Sequence, residues 1–120
     1  MSSDIKEIEQ VLYRCCHAVD QGKIDEFVDL FHPEATFVVT WEENGAHNGH
    51  TEIRKWIENY DRVLRSSLKY LRHKITCPVI EVAGDSATAT SYMDVEAATS
   101  RINRLVDKAC FETLNPHRFR

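Results

Sequence analysis

Residues 70–98 constrain this fold more than any other part of the chain. Two long segments of alternating character, Tyr70–Val82 and Ser86–Ala98, flank Ala83-Gly84-Asp85. Such a pair around a Gly-Asp turn predicts an antiparallel β-hairpin, each strand presenting one face inward. In the second strand Ala87, Ala89, Ser91, Met93, Val95 and Ala97 alternate with Thr88, Thr90, Tyr92, Asp94 and Glu96. The small residues of the first series leave room either for a cavity or for a closely packed helix. In the first strand Leu71, Ile75, Cys77 and Val79 share a face, and Arg72, Lys74 and Thr76 share the other. His73 falls in the apolar series, so its imidazole is expected to point into the protein. An ordinary histidine titrates near pH ~6.5, so an inward one can move protons. The competing and commoner case is a hydrogen-bonded core histidine.

The elements before the hairpin read as helix, helix, strand, helix. Asp4 and Glu7 fit a capping box. Ile5, Ile8, Val11, Leu12, Cys15, Cys16 and Val19 follow at helical spacing to about Val19. Asp20-Gln21-Gly22 then ends the helix, with Gly22 suited to a left-handed position. Ile24, Phe27, Val28 and Phe31 mark a short second helix closed by Pro33. Ala35–Trp41 is β-branched and aromatic and predicts a strand; Glu42–Gly49 reads as a polar loop. Ile53, Trp56, Ile57, Tyr60, Leu64 and Leu68 return to helical period across Thr51–Leu68. In the tail, Ile102, Leu105, Val106, Ala109 and Cys110 favour a helix, ended by Asn115-Pro116.

At 120 residues the chain is expected to be one domain, residues 1–120, with 101–120 atypical. A net charge of −4 gives no electrostatic case for nucleic acid or an anionic membrane. No apolar run approaches the ~20 residues of a membrane span, and the N-terminus lacks a secretory pattern. Cys15, Cys16, Cys77 and Cys110 show no CxxC spacing, so free thiols and a cytoplasmic location are expected.

Asp20 is the second unusual residue. A helix C-terminus carries partial negative charge, which disfavours a carboxylate there by some tenths of a kcal/mol, about 0.3–1. It is either an exposed turn residue or a partner for the inward histidine. A carboxylate accepting from one ring nitrogen fixes the tautomer and leaves the other as a base. Rival chemistries fail on spacing. Gly22 and Ile24 stand where an EF-hand would need ligands. His47 and His50 lack a Cys/His or HExxH set, so no metal is expected. Phosphate loops and a GxSxG elbow are absent. Cys15 and Cys16 fit core or pocket lining better than a nucleophile.

The chain resembles the SnoaL-like branch of the NTF2-like superfamily. The matching segments are His17-Ala18-Val19-Asp20, Gly22 through Phe37, Gly49-His50-Thr51-Glu52-Ile53-Arg54-Lys55-Trp56, Leu71-Arg72-His73-Lys74-Ile75, and Ile80 through Ala87. The resemblance covers about residues 4–98. It implies an α+β cone-shaped barrel, a curved and mostly antiparallel sheet on three helices, around a largely apolar pocket. Members such as scytalone dehydratase use an Asp–His dyad, and Asp20 and His73 match its two positions. It implies a cofactor-independent lyase or isomerase acting on a hydrophobic small molecule, with His73 as base and Asp20 orienting it. Tyr13, His17, Tyr92, Trp41 and Trp56 are the expected ligand contacts, and a homo-oligomer, dimer or trimer, is expected. The alternative is a non-catalytic NTF2-like ligand-binding or dimerisation module. Two departures stand out: Ala97–Thr99 offers no further histidine, and residues 101–120 lack the family's closing strands and their Trp-x-Phe-like pattern.

Overall fold

The computed structural model describes residues 2–99 and 109–110. The order is α1 (Ser2–Gln21), α2 (Ile24–Asp29), β1 (Thr36–Val38), β2 (Ala46–Asn48), α3 (Gly49–Val63), a 3₁₀ turn (Arg65–Ser67), β3 (Leu68–Ala83), β4 (Ser86–Thr99) and β5 (Ala109–Cys110). The first two helices and the long hairpin fall near where the sequence pattern puts them; the third helix starts at Gly49 and ends at Val63, and Leu68, expected in that helix, begins β3. Helix α1 begins at Ser2, so Asp4 lies inside the first turn instead of capping it. Gly22 follows α1 with φ +68°, the left-handed value expected of it. The polar loop is shorter than expected, because Ala46–Asn48 pairs antiparallel with Thr36–Val38. Thr36 Oγ1 donates to Asn48 Oδ1 at 2.9 Å across that pair. Glu52 accepts the Asn48 N–H at 2.8 Å, satisfying a backbone donor where α3 starts.

The core divides into two clusters. Ile8 and Leu12 of α1 pack on Ala87 and Ala89 of β4, with Ile75, Ile80 and Val82 of β3 around them. The small side chains of β4 therefore seat a close helix at this end. Ala18 and Val19, at the other end of α1, join Phe27, Val28, Phe37, Val39, Ile53 and Ile57, with Trp56 and Tyr60 against them. The Phe37 and Trp56 rings meet edge to face at 4.9 Å between centroids.

Strand β3 carries two bulges. Lys69 pairs with Ala98 and Arg72 with Glu96, so three steps on β3 face two on β4; the same happens between Thr76 and Val79, opposite Tyr92 and Thr90. Each bulge contains a non-glycine residue at positive φ, Tyr70 at 58° and Cys77 at 52°. Left-handed backbone costs such residues about 1–2 kcal/mol each. Leu71 is buried, and His73 and Ile75 are largely covered on the same side. Beyond the second bulge Ile80 and Val82 turn inward, while Cys77 and Val79 are exposed. The expectation that all of Leu71 to Val79 shares one buried face is thus corrected after Ile75, because the extra residue at Cys77 reverses the alternation.

The tail reading is also corrected where it is described. Ala109 and Cys110 form a strand antiparallel to Tyr92 and Met93 of β4, not a helix. Pairing with the open edge of β4 satisfies backbone groups that helical propensity alone does not weigh. The remaining positions of the expected helix, Ile102, Leu105 and Val106, lie outside the described residues. Among the described residues no helix is long and apolar enough to cross a membrane.

Candidate functional site

Asp20 lies in the last turn of α1, beside β3, and its carboxylate holds His73 in two ways. The His73 backbone N–H donates to Oδ1 at 3.1 Å and Oδ2 at 3.0 Å. The ring Nδ1 lies 2.6 Å from Oδ1. An ionised carboxylate only accepts, so Nδ1 carries the proton and Nε2 keeps its lone pair. Both side chains are mostly covered, 16% exposed for Asp20 and 10% for His73. The helix-end carboxylate therefore has donors on β3 that offset its unfavourable position on the helix dipole.

His73 Nε2 faces the Tyr60 hydroxyl of α3 at 3.3 Å, and the phenol donates to it. The Tyr60 ring stacks on Trp56 one turn earlier, with centroids 5.3 Å apart. Burial, aided by the negative charge of Asp20, pushes the Tyr60 phenol up to about 12. Sequence reasoning missed Tyr60 as a site residue. Its helical phase places it on the core face, and only its hydroxyl, unlike a phenylalanine's edge, signals a polar partner.

His73 and Tyr60 open onto a cavity of about 390 Å³. Such a volume lies in the range of small-molecule sites, roughly 300–1,000 Å³. Its walls are mainly apolar: Val19, Phe27, Phe37, Leu71, Met93 and Val95 among them. Cys15 and Cys16 also line it. Burial raises both thiols, that of Cys16 to about 12. They stay protonated near neutrality and behave as small apolar surface, as expected for pocket lining. At the rim Trp56 Nε1 donates to Glu42 at 3.2 Å, and His47 Nε2 approaches the same carboxylate at 3.4 Å.

Of the expected ligand contacts, Trp56 lines the cavity and Trp41 stands at its rim, 70% exposed. Tyr13, His17 and Tyr92 do not reach it. Tyr13 lies seven residues before Asp20, about 10 Å along the helix, and its hydroxyl donates to Glu9 at 3.2 Å. His17 faces a shallow surface groove with Arg14, Gln21 and Lys23. Tyr92 alternates with inward Ser91 and Met93, which turns it outward, 60% exposed. His50 Nε2–H donates to the Phe31 carbonyl at 2.7 Å.

The sequence pattern that defines the SnoaL-like domain matches residues 1–101. The chain belongs to the SnoaL-like family. Membership carries a small-molecule-binding or isomerase-type role at family level. Solved structures agree on the fold. A structure from Catenulispora acidiphila superposes with a TM-score of 0.78 at 20% identity, covering 98% of this chain and 90% of its own. A structure from the same organism in complex with S-DNPA gives 0.77 at 20% identity, covering 98% and 92%. An NTF2-like protein with a cystatin-like fold from Novosphingobium aromaticivorans gives 0.72 at 20% identity, covering 92% and 67%. The architecture is thus the NTF2-like α+β fold expected from the sequence. Comparison with curated proteins returned no match.

Proposed function

We propose that this SnoaL-like domain is a cofactor-independent lyase or isomerase that abstracts a proton from a hydrophobic small molecule. His73 Nε2 is the base and Asp20 its orienting partner. The observation that carries this reading is the 2.6 Å contact between Asp20 Oδ1 and Nδ1 of His73, a residue that lines a mainly apolar cavity. As Nε2 takes a proton, positive charge develops on the ring beside a fixed carboxylate, which stabilises it. The apolar walls limit competition from water and suit a hydrophobic ligand. A neighbour's complex with S-DNPA supports a ligand in this fold.

A second reading, a binding module without turnover, draws on the Tyr60 hydroxyl, which already satisfies Nε2 as in a closed core network. Nitrobenzisoxazole separates the two. Removal of its ring proton breaks the N–O bond and yields a coloured cyanophenolate, with no other reactant. The wild type is expected to cleave it faster than free imidazole at equal concentration. His73→Ala then loses the general-base contribution, roughly 10²–10⁴-fold, with its folded circular dichroism intact. An unchanged rate in His73→Ala sinks the base assignment; wild-type binding without cleavage selects the silent module.

A further inference from the structure

Charge is unevenly spread over the cavity. Among the described residues that line it there is no lysine or arginine, and Glu42 is the one carboxylate. Glu42 stands at the mouth, 38% exposed, next in sequence to Trp41, which is 70% exposed. At the far end the Asp20 carboxylate lies behind His73. We infer that the ligand of this cavity carries a cationic nitrogen, an amine or quaternary ammonium, on an apolar body, with Glu42 and Trp41 holding that head at the mouth. This rests on the reading of the cavity as the ligand site, and not on turnover.

Three observations support it. The first is how firmly the carboxylate is set. Trp41 and Glu42 lie in the short loop between β1 and β2. The Glu42 N–H donates to the Val39 carbonyl at 3.2 Å, and the Val39 N–H to the Gly45 carbonyl at 2.8 Å. A Cβ at Gly45 would come within 2.0 Å of the Val39 oxygen, so this closure needs glycine. The Trp56 indole N–H is shared between both Glu42 oxygens at 3.2 Å, and His47 Nε2 approaches Oε1 at 3.4 Å. A carboxylate has about four acceptor positions, so Oε2 keeps capacity for an incoming cation.

The second is the sign of the field. Burial, and after it the charge of Asp20, raises the pKa of Cys15, Cys16 and Tyr60. Three lining groups thus resist becoming anions, and a ligand anion meets the same penalty. Thr40 and Asn59, which also line the cavity, are neutral. Arg62 donates to Asn59 Oδ1 at 2.7 Å but does not itself line the cavity. Outside the mouth Glu42, Glu43 and Glu52 share a groove with one lysine, Lys55.

The third is the ring. An indole face is the best aromatic partner for a cation. The faces of Trp56 are occupied, stacked on Tyr60 at 5.3 Å and on Phe27 at 6.3 Å between centroids. Trp41 makes no ring contact among the described residues, and its exposure leaves a face for a ligand.

Trp41 and Trp56 are the two tryptophans of the chain, so intrinsic fluorescence reads binding at this mouth. The probes share a phenylpropyl body and carry a trimethylammonium, tert-butyl or carboxylate head. They are titrated at about pH 8, where an ordinary imidazole is neutral. The ammonium should bind at least roughly tenfold more tightly than the carboxylate, and added salt should narrow that gap. Glu42→Gln keeps an oxygen for the Trp56 N–H. It should weaken the ammonium roughly tenfold and leave the tert-butyl compound within about twofold. Trp41→Leu, with Trp56 as the remaining reporter, should likewise weaken the ammonium more than the tert-butyl compound. Equal losses for both heads in Glu42→Gln make Glu42 a structural brace of the rim and overturn the proposal. A carboxylate bound as tightly as the ammonium also overturns it, as does a wild type that does not bind the ammonium. The base reading is decided separately, by nitrobenzisoxazole cleavage.

Discussion

Helix α1 meets opposite surroundings along its length. Its first half, through Ile8 and Leu12, presses on Ala87 and Ala89. Its second half, through Cys15, Cys16 and Val19, borders open space walled by aromatic rings and by Met93 and Val95. Side-chain size on β4 therefore runs against intuition: the alanines stand where the molecule is closed, the larger residues where it is hollow. Small residues let the helix approach, whereas larger ones hold it off. The closed end anchors the helix and the hollow end positions Asp20.

If the closed end is the anchor, truncating it is the most costly change. Leu12→Ala is expected to destabilise the fold by about 2–5 kcal/mol, read as a lowered urea midpoint at constant m-value. A shift under about 1 kcal/mol would mean that α1 is held mainly from the aromatic end.

Enlarging residues sharpens the contrast. Ala89→Leu should cost about 1–3 kcal/mol by overpacking, while Val95→Leu should change the urea midpoint little because its extra volume enters the cavity. Equal costs at the two positions would show the cavity walls to be as inflexible as the alanine seat.

A last effect is confined to alkaline pH and probes the hollow end. The Tyr60 pKa is raised from 10.0 in the unfolded chain to about 12 in the fold. The folded state disfavours the phenolate, so this contribution to stability is complete below pH 10.0 and declines as pH rises towards about 12. Tyr60→Phe should flatten the stability curve in that window; an unaltered slope would mean that Tyr60 ionises freely in the fold.

Much of this was legible in the sequence, and the reasons are specific. The hairpin shows because β4 alternates without interruption from Ala87 to Ala97. Asp20 shows because it breaks the charge rule of a helix end, and His73 because it interrupts an apolar series. The bulges do not show: Tyr70 and Cys77 are neither glycine nor asparagine, and alternation has no symbol for an unpaired residue. Tyr60 is hidden because helical period assigns it to the core, where its ring does in fact pack. The strand at Ala109–Cys110 is hidden because its apolar spacing is that of a helix, while its pairing partners, Met93 and Tyr92, lie far earlier in the chain. Tyr13, His17 and Tyr92 have the right chemistry but the wrong place: two helical turns separate Tyr13 from Asp20, His17 faces a surface groove, and strand pleat turns Tyr92 outward.

The two bulges of β3 work as a pair of compensating frameshifts. Before the first, the inward positions of β3 carry even numbers, as at Leu68; after the second they are even again, at Ile80 and Val82. Only the window between them is read in the odd frame, which brings in Leu71, His73 and Ile75. An uninterrupted strand with the same two ends would instead bury Arg72 and Lys74 and give the imidazole to solvent. The inward histidine is thus a property of the strand's punctuation as much as of its composition. A single-residue slip at either mark is enough to move this side chain from one face of the sheet to the other while leaving its sequence neighbours unchanged.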